Sequence, residues 1–447
     1  MNSRLDAQPH RIVVVGGGAG GLELATKLGD RLADKGRAIV TLVDRNRTHL
    51  WKPLLHEVAA GSMDIHAHQL DYLAQARWHH FTFAVGALSG LDRKAKQVIV
   101  SAVRDDEDQE ILPERRIPYD TLVLAIGSES NDFGTPGVRE HAFTIDQAWD
   151  ANLFHRRLVN ACFHANFASS SGDGASQPRG RVLHIAIVGA GATGVELAAE
   201  LHNTTRVLAT YGLENFNPEK QIRISVIEAG PRVLAGLPEH IAEGTVRVLK
   251  DLGVDVLINE KVIEVTEEVV KTASGREIPA EFTVWAAGIR CAQVLKDIDG
   301  LETNRVNQVV VQPTLLATRD ENIFAIGDCA AAAWTDGRLL PPRAQTAHQQ
   351  ATHVLKMIQR RMAGKPLTAF RYRDFGSLVS LGNYDTVGQL MGFISSEKFR
   401  VEGWLAKLFY ISLYRQHIWA LHGFWRMALD TLARLIRSQT DPKVKLH

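Results

Sequence analysis

"RIVVVGGGAGGLELATKL", Arg11 to Leu28, decides the fold. A short apolar run leads straight into glycines, and the glycines into a helical pattern. Gly16, Gly18 and Gly21 stand at the G-x-G-x-x-G spacing. The first glycine permits a tight turn. The second lets the backbone approach a pyrophosphate. The third lets the helix pack closely on the strand, and the helix N-terminus faces the phosphates. The next apolar run, "AIVTLVDRN", ends at Asp44, where an acid can accept hydrogen bonds from a ribose diol. A glycine turn that binds nothing has no need of strand, helix and acid in that order.

The pattern recurs in "RVLHIAIVGAGATGVELAAEL", with Gly189, Gly191 and Gly194. There the following strand, "IRISVIEAG", ends at Glu228. An acid at that position suits an unphosphorylated ribose and repels a 2′-phosphate, which favours NADH over NADPH. The interval from Gly189 to Glu228 is longer than the usual ~20 residues, and the excess is expected in a loop around "TYGLENFNPEK". Three more apolar runs end in small residues: "YDTLVLAIGS" at Gly127, "FTVWAAGIR" at Ala287 and Gly288, and "ENIFAIGDCA" at Gly327 and Asp328.

The bulk properties fit such an architecture. At ~150 residues per domain, a chain of 447 residues leaves room for about three domains. A hydrophobic content of 45% and a charged content of 23% are those of an ordinary globular protein. The net charge of +1 argues against nucleic acid as the main partner. Cys162, Cys291 and Cys329 form no C-x-x-C pair, so neither a disulfide framework nor a thiol redox centre is expected. The histidines show no ligand cluster, so no metal is expected. The N-terminus reads as lacking a signal peptide, and no apolar run reaches the ~18 residues of a spanning helix.

"PPRAQTAHQQATHVL", from Pro341, reads as a helix opened by prolines. Gln345 and Gln349 lie four apart on one face of it, with His348 beside them. Neutral amides can donate to carbonyl oxygens without fixing a charge, which suits the two oxygens of a quinone head group. A solvated or capping pair is the alternative. The last stretch, "RVEGWLAKLFYISLYRQHIWALHGFWRMALDTLARLIRSQ", places Trp404, Leu405, Leu408 and Phe409, then Leu421, Phe424, Ala428, Leu432, Leu435 and Ile436, at helical spacing among basic residues. Such faces suit an anionic lipid surface, or else docking on the body or a dimer seam.

With both fingerprints, "HLWKPLLHEVAAG", "AIGSESNDFGTPGV", "PPRAQTAHQQA", "GSLVSLGNYDTVGQLMG" and "LFYISLYRQHIWALHG" in place, the whole chain resembles the type II NADH:quinone oxidoreductases. These are flavoproteins of the superfamily with two dinucleotide-binding domains. The resemblance implies an α/β fold with two Rossmann-like domains and a C-terminal amphipathic helical segment that anchors to a membrane. It implies non-covalent FAD on the first fingerprint, with Asp328 at the ribityl chain. Trp51, Lys52 and Pro53 are expected to line the flavin pocket, and Gly127, Ala344 and Gln345 to contact FAD. NADH lies on the second fingerprint, with Glu196 near the nicotinamide and with Ala287 and Gly288 among the NADH-binding residues. Quinone, ubiquinone or menaquinone, meets Gln345, His348 and Gln349. The expected order is FAD domain 1–148, NADH domain 149–309, FAD domain again 310–385 and membrane segment 386–447. The expected enzyme is a homodimer on the cytoplasmic face of the inner membrane that pumps no protons. Two alternatives stay open: a soluble NADH-dependent reductase of a protein such as a ferredoxin, and a nucleotide-sensing flavoprotein. Glu196 as a helix-surface residue, Asp328 as a plain N-cap and His348 as a packed, hydrogen-bonded residue also stay open.

Overall fold

The computed structural model describes residues 8–170, 182–213, 215–335, 337–381, 386–390, 399–402, 404–437, 442 and 444–445. The chain divides into two compact units. The first comprises Met1–Trp51, His68–Glu129 and Ile289–Arg373; the second comprises Lys52–Ala67, Ser130–Gly288 and Asp374–His447.

Each unit is built on a five-stranded parallel sheet. In the first the order is Ile323–Ala325, Thr121–Leu124, His10–Val15, Ala38–Asp44, Thr82–Val85. In the second it is Ala142–Thr144, Phe282–Trp285, Leu183–Val188, Ile222–Ile227, Asp255–Leu257. In both, the strand that feeds a glycine turn is central and buried along most of its length: Ile12 to Val15 in one, Ile185 to Val188 in the other. That is why the sequence shows apolar runs there rather than alternation. Parallel strands covered on both faces have no solvent side. Each of these Val and Ile side chains contributes about 1.5–3 kcal/mol by leaving water.

Each unit also carries an antiparallel three-stranded sheet, Leu88–Asp92, Gln97–Val100 and Arg115–Pro118 in the first, Val262–Val265, Val269–Thr272 and Glu277–Pro279 in the second. The charged stretch between Arg104 and Arg116 includes a small hairpin, Val103–Arg104 with Glu110–Leu112, whose ends face solvent. The long interval before Glu228 resolves as expected in the main: most of its excess lies in 211–221, where Asn217 caps the short helix Pro218–Gln221. A lesser part lengthens the fingerprint helix Ala192–Thr210. Of the polar stretch 168–181, residues up to Ser170 close helix Ala148–Ser170, and 171–181 lie outside the described residues.

The second unit ends with the antiparallel strands Gly376–Ser380, Thr386–Leu390 and Phe399–Glu402 and the helix Trp404–Arg437. Gly423, at φ 76°, breaks that helix in two. Before the break Tyr414, His417, Ile418 and Leu421 are buried at i, i+3, i+4 and i+7. After it Trp425, Leu429, Leu432 and Ile436 are exposed, Trp425 by 78%. The expected face from Leu421 to Ile436 is therefore not continuous: Leu421 is turned inward, and the break re-aims the second half of the helix. The side chains of Trp404, Leu405, Leu408, Phe409 and Leu435 lie outside the described residues. No helix among the described residues is long and apolar enough to cross a membrane.

Candidate functional site

In the first unit, Gly16 turns the chain at φ 102°, its N–H donating to Val43 O at 2.7 Å. A Cβ on Gly21 would sit 1.8 Å from Gly16 O, so helix and turn meet at a distance only glycine allows. A Cβ on Gly18 would meet nothing within 4 Å: the space it would enter lies open toward a ligand. Gly18 also caps helix Ala19–Leu28, and having no side chain it leaves the N–H groups of the first turn to an incoming anion. Asp44 receives Gly17 N–H at 2.6 Å and Asn46 N–H at 2.8 Å. Burial pushes its carboxyl above the ordinary range, against those two N–H bonds.

The second unit repeats this bond for bond. Gly189 turns at φ 105° and donates to Ile227 O at 2.8 Å. A Cβ on Gly194 would sit 2.0 Å from Gly189 O, and one on Gly191 would meet nothing. Glu228 receives Ala190 N–H and Gly230 N–H, both at 2.8 Å. In each unit the acid at the end of the neighbouring strand locks the residue after the first glycine. The open second glycine, the helix N-terminus that no side chain caps and the acid together fit a dinucleotide in each case.

The first turn has a support that sequence reading missed. Gly17 O accepts from buried His49 Nδ1–H at 2.9 Å and from buried Tyr72 Oη–H at 2.7 Å. Burial holds the His49 imidazole down to about 4, so it is neutral and its Nδ1–H serves as donor. In the second turn a backbone group does this work, Leu234 N–H donating to Ala190 O at 2.9 Å. His49 stood in the quoted motif "HLWKPLLHEVAAG", but nothing local announced its target 32 residues back.

Gly127, at φ 72°, has open space where a Cβ would stand. Next to it, Ser128 Oγ–H donates to Asp328 Oδ2 at 2.7 Å. Asp328 lies in a short 3-10 turn, Gly327–Cys329, rather than before a long helix. Its carbonyl accepts from Gln308 Nε2 at 2.8 Å, and Gly327 N–H donates to buried Gln350 Oε1 at 2.6 Å. The turn is thus held from three sides.

Helix Ala344–Met362 begins two residues after Pro342, as the prolines foretold. Ala344, Gln345, His348 and Gln349 are each half-buried. Gln349 makes a two-way bond with the backbone of Arg373, donating to its carbonyl at 2.8 Å and accepting its N–H at 3.0 Å. One amide N–H of Gln349 remains for another acceptor. His348 Nδ1 pairs with Glu23 on the first fingerprint helix, which also pairs with Lys27. Burial acts to raise the Glu23 carboxyl, but His348 and Lys27 outweigh it, and the group stays below its ordinary range.

In the second unit Glu196, one turn into the fingerprint helix, is buried, with Oε2 3.6 Å from His56 Nδ1. It is not a helix-surface residue. Lys52 is exposed and pairs with Asp146 at 3.2 Å. Ala287 is half-buried and Gly288 exposed at the end of strand Phe282–Trp285. All three cysteines are buried and none lies in a disulfide, the Cys162 thiol pushed up by burial to about 12 and that of Cys329 to about 11. Among the described residues no group of three His, Cys, Asp or Glu side chains is placed to hold a metal.

The family described as pyridine nucleotide-disulphide oxidoreductase matches residues 10–351. The chain is 42% identical over 442 residues to a type II NADH:quinone oxidoreductase of Haemophilus influenzae, covering 98% of this chain and 99% of that one. It is 31% identical over 389 residues to its Staphylococcus saprophyticus counterpart, covering 86% and 90%. The fold is that of NDH2 from Plasmodium falciparum, solved in complex with NADH, at a TM-score of 0.79, 18% identity and coverage of 98% and 100%. It also resembles a sulfide:quinone oxidoreductase of Aquifex aeolicus, at 0.69, 18% identity and coverage of 92% and 91%. Both fingerprints, their acids and this likeness over nearly the full length lead to one conclusion: the chain belongs to the type II NADH:quinone oxidoreductases, flavoproteins that bind FAD and NADH, oxidise NADH and reduce a quinone.

Proposed function

We propose that the first glycine turn, in the first unit, holds FAD and the second, in the second unit, holds NADH, with a membrane segment from 386 to 447. The observation that carries the assignment is the duplicated turn, in which Asp44 and Glu228 make matching bonds to Gly17 and Ala190. FAD bound there would supply the two-electron carrier between NADH and the quinone. The residues bind, orient and exclude water around that chemistry.

In this reading Gly16, Gly18, Gly21 and Asp44 seat the adenosine diphosphate half of FAD. Gly127, Asp328, Ala344 and Gln345 meet its other half. Gly189, Gly191, Gly194 and Glu228 seat NADH, and the Glu228 carboxylate turns away a 2′-phosphate. Glu196, Ala287 and Gly288 border the nicotinamide. The amides of Gln345 and Gln349 donate to the quinone carbonyls, and the N-terminal dipole of the amide helix would favour negative charge on the reduced flavin. His348 is assigned to the same site, where its bond to Glu23 fixes the amide helix against the first fingerprint helix.

The chain lies on the cytoplasmic face of the inner membrane through its C-terminal helix. The exposed Phe424, Trp425, Leu429, Leu432 and Ile436 support this, because a soluble surface rarely gathers that much apolar area. It works as a homodimer, which sedimentation velocity checks. Turnover moves no charge across the membrane, which proteoliposomes carrying a potential-sensitive dye decide. The amide assignment is tested by Gln345→Ala with Gln349→Ala: flavin reduction by NADH persists while reoxidation by quinone slows. Unchanged quinone kinetics would return both amides to a structural role.

A further inference from the structure

Phe133 is held in a conformation that costs energy. Its φ is 50°, in the left-handed region that bulky side chains avoid, and the residue is 64% exposed. Neither folding nor solubility favours such a residue, so the loop around it must impose it. Phe133 N–H donates to Asn131 Oδ1 at 3.0 Å, and Asn131 O accepts from Trp285 Nε1 at 2.8 Å. Asp132 accepts from Gly134 N–H at 3.1 Å and pairs with Arg139 at 2.6 Å, and its carbonyl accepts Thr135 N–H at 2.8 Å. Asn131 N–H reaches Gly288 O at 3.3 Å. Strain that is fixed from so many sides marks a working position.

The ring stands over the end of strand Phe282–Trp285: a Cβ added to Gly288 would lie 2.4 Å from Phe133 Cζ. The strand order gives this place a meaning. Leu183–Val188, which feeds the second glycine turn, lies between Ile222–Ile227 on one side and Phe282–Trp285 on the other. The chain reverses its direction of winding there, and dinucleotides bind across such a point. Glu228, the ribose acid, ends the strand on one side, and Gly288 follows the strand on the other. A dinucleotide with its adenosine at Glu228 and its pyrophosphate on the turn sends its second half past Ala287 and Gly288. Phe133 waits at that end.

We propose that Phe133 is a positioning residue for the nicotinamide half of NADH, its ring an aromatic shelf against which the nicotinamide riboside packs. The proposal rests on the assignment of NADH to the second turn. The test compares two ligands, NAD⁺ and ADP-ribose, which differ by the nicotinamide ring. Each is titrated calorimetrically into the FAD-loaded full chain, and neither delivers a hydride.

Phe133→Ala should weaken NAD⁺ by about three- to tenfold, the usual worth of an aromatic packing pair, and leave ADP-ribose within about twofold. Phe133→Tyr should restore NAD⁺. Phe133→Gly removes the ring and also the strain, since glycine accepts this φ. It should show the same loss of NAD⁺ with a thermal midpoint no lower than wild type, which separates the ring from loop stability. Unchanged NAD⁺ affinity, or equal weakening of both ligands in the glycine variant, overturns the proposal. Gly191→Val should abolish both ligands. Should NAD⁺ bind that variant normally, the second-turn assignment itself fails and takes the shelf with it.

Discussion

The two open glycines and the two closed ones make opposite demands, and a matched pair of variants in the second turn separates them. Gly191 has an ordinary φ of −72°, and a Cβ there touches no protein atom within 4 Å. Gly191→Val therefore costs the fold only what an apolar N-cap costs, about 1 kcal/mol. That lowers the thermal midpoint by roughly 2–4 °C for a unit of this size. The same side chain fills the space the pyrophosphate needs. Losing two backbone N–H bonds to a charged group, at about 1.5 kcal/mol each or more, weakens NAD⁺ by over about a hundredfold. Gly194→Ala does the reverse: its Cβ lies 2.0 Å from Gly189 O and must force the turn open. Overpacking of about 3 kcal/mol lowers the midpoint by roughly 6–12 °C. Three readings settle it: flavin per chain, midpoint by scanning calorimetry, and NAD⁺ affinity by titration. Gly191→Val should stay yellow, nearly as stable as wild type, and blind to NAD⁺. A Gly191→Val protein that binds NAD⁺ normally, or loses its flavin instead, would refute the reasoning.

Acid should destabilise the chain well before its carboxylates titrate. Buried His49 and His56 are both held to about 4, while an unfolded histidine protonates near 6.5. Their contribution is complete above pH 6.5 and is lost as pH falls toward 4, because only the unfolded chain takes the protons in that window; it amounts to ~3 kcal/mol per histidine. His49→Asn keeps a donor for Gly17 O but does not titrate, so its denaturation midpoint should fall less steeply between pH 7 and 4.5, and an equal slope would contradict the assignment. The buried cysteines should resist maleimide in the native protein and react only on unfolding, as read by mass spectrometry. Replacing exposed Trp425 and Leu429 with glutamate should release the protein from anionic vesicles in flotation while leaving the thermal midpoint within about 2 °C, since such surface changes cost little. Vesicle binding that survives both changes would move the lipid contact elsewhere.

The parts of this molecule that a reader can take from the sequence are those whose cause is local. Gly16, Gly18 and Gly21 act through a turn of six residues, and the buried strand ahead of them reads as an apolar run because its neighbours cover both faces. The acids Asp44 and Glu228 come one strand later, within reach of the same pattern. What the sequence hides are bonds between distant segments. Glu23 looks like any charge on a helix until His348 arrives from 325 residues away. Gln349 reads as a free amide because nothing near it predicts the backbone of Arg373. Gly423 sits among good helix formers, so periodicity runs through it, and only its left-handed φ shows that the apolar face turns. Phe133 is hidden in part for the same reason: its neighbours Asn131 and Asp132 hold the loop, but they are fixed in turn by Trp285 and Arg139.

The central claim is that electrons pass from NADH to a quinone through a bound flavin. Anaerobic stopped-flow tests it in two mixes. NADH added to the oxidised yellow protein should bleach its visible flavin absorbance, and a quinone added to the bleached protein should bring the colour back at a rate that rises with quinone concentration. A flavin that bleaches with NADH but stays bleached in the presence of quinone would contradict it.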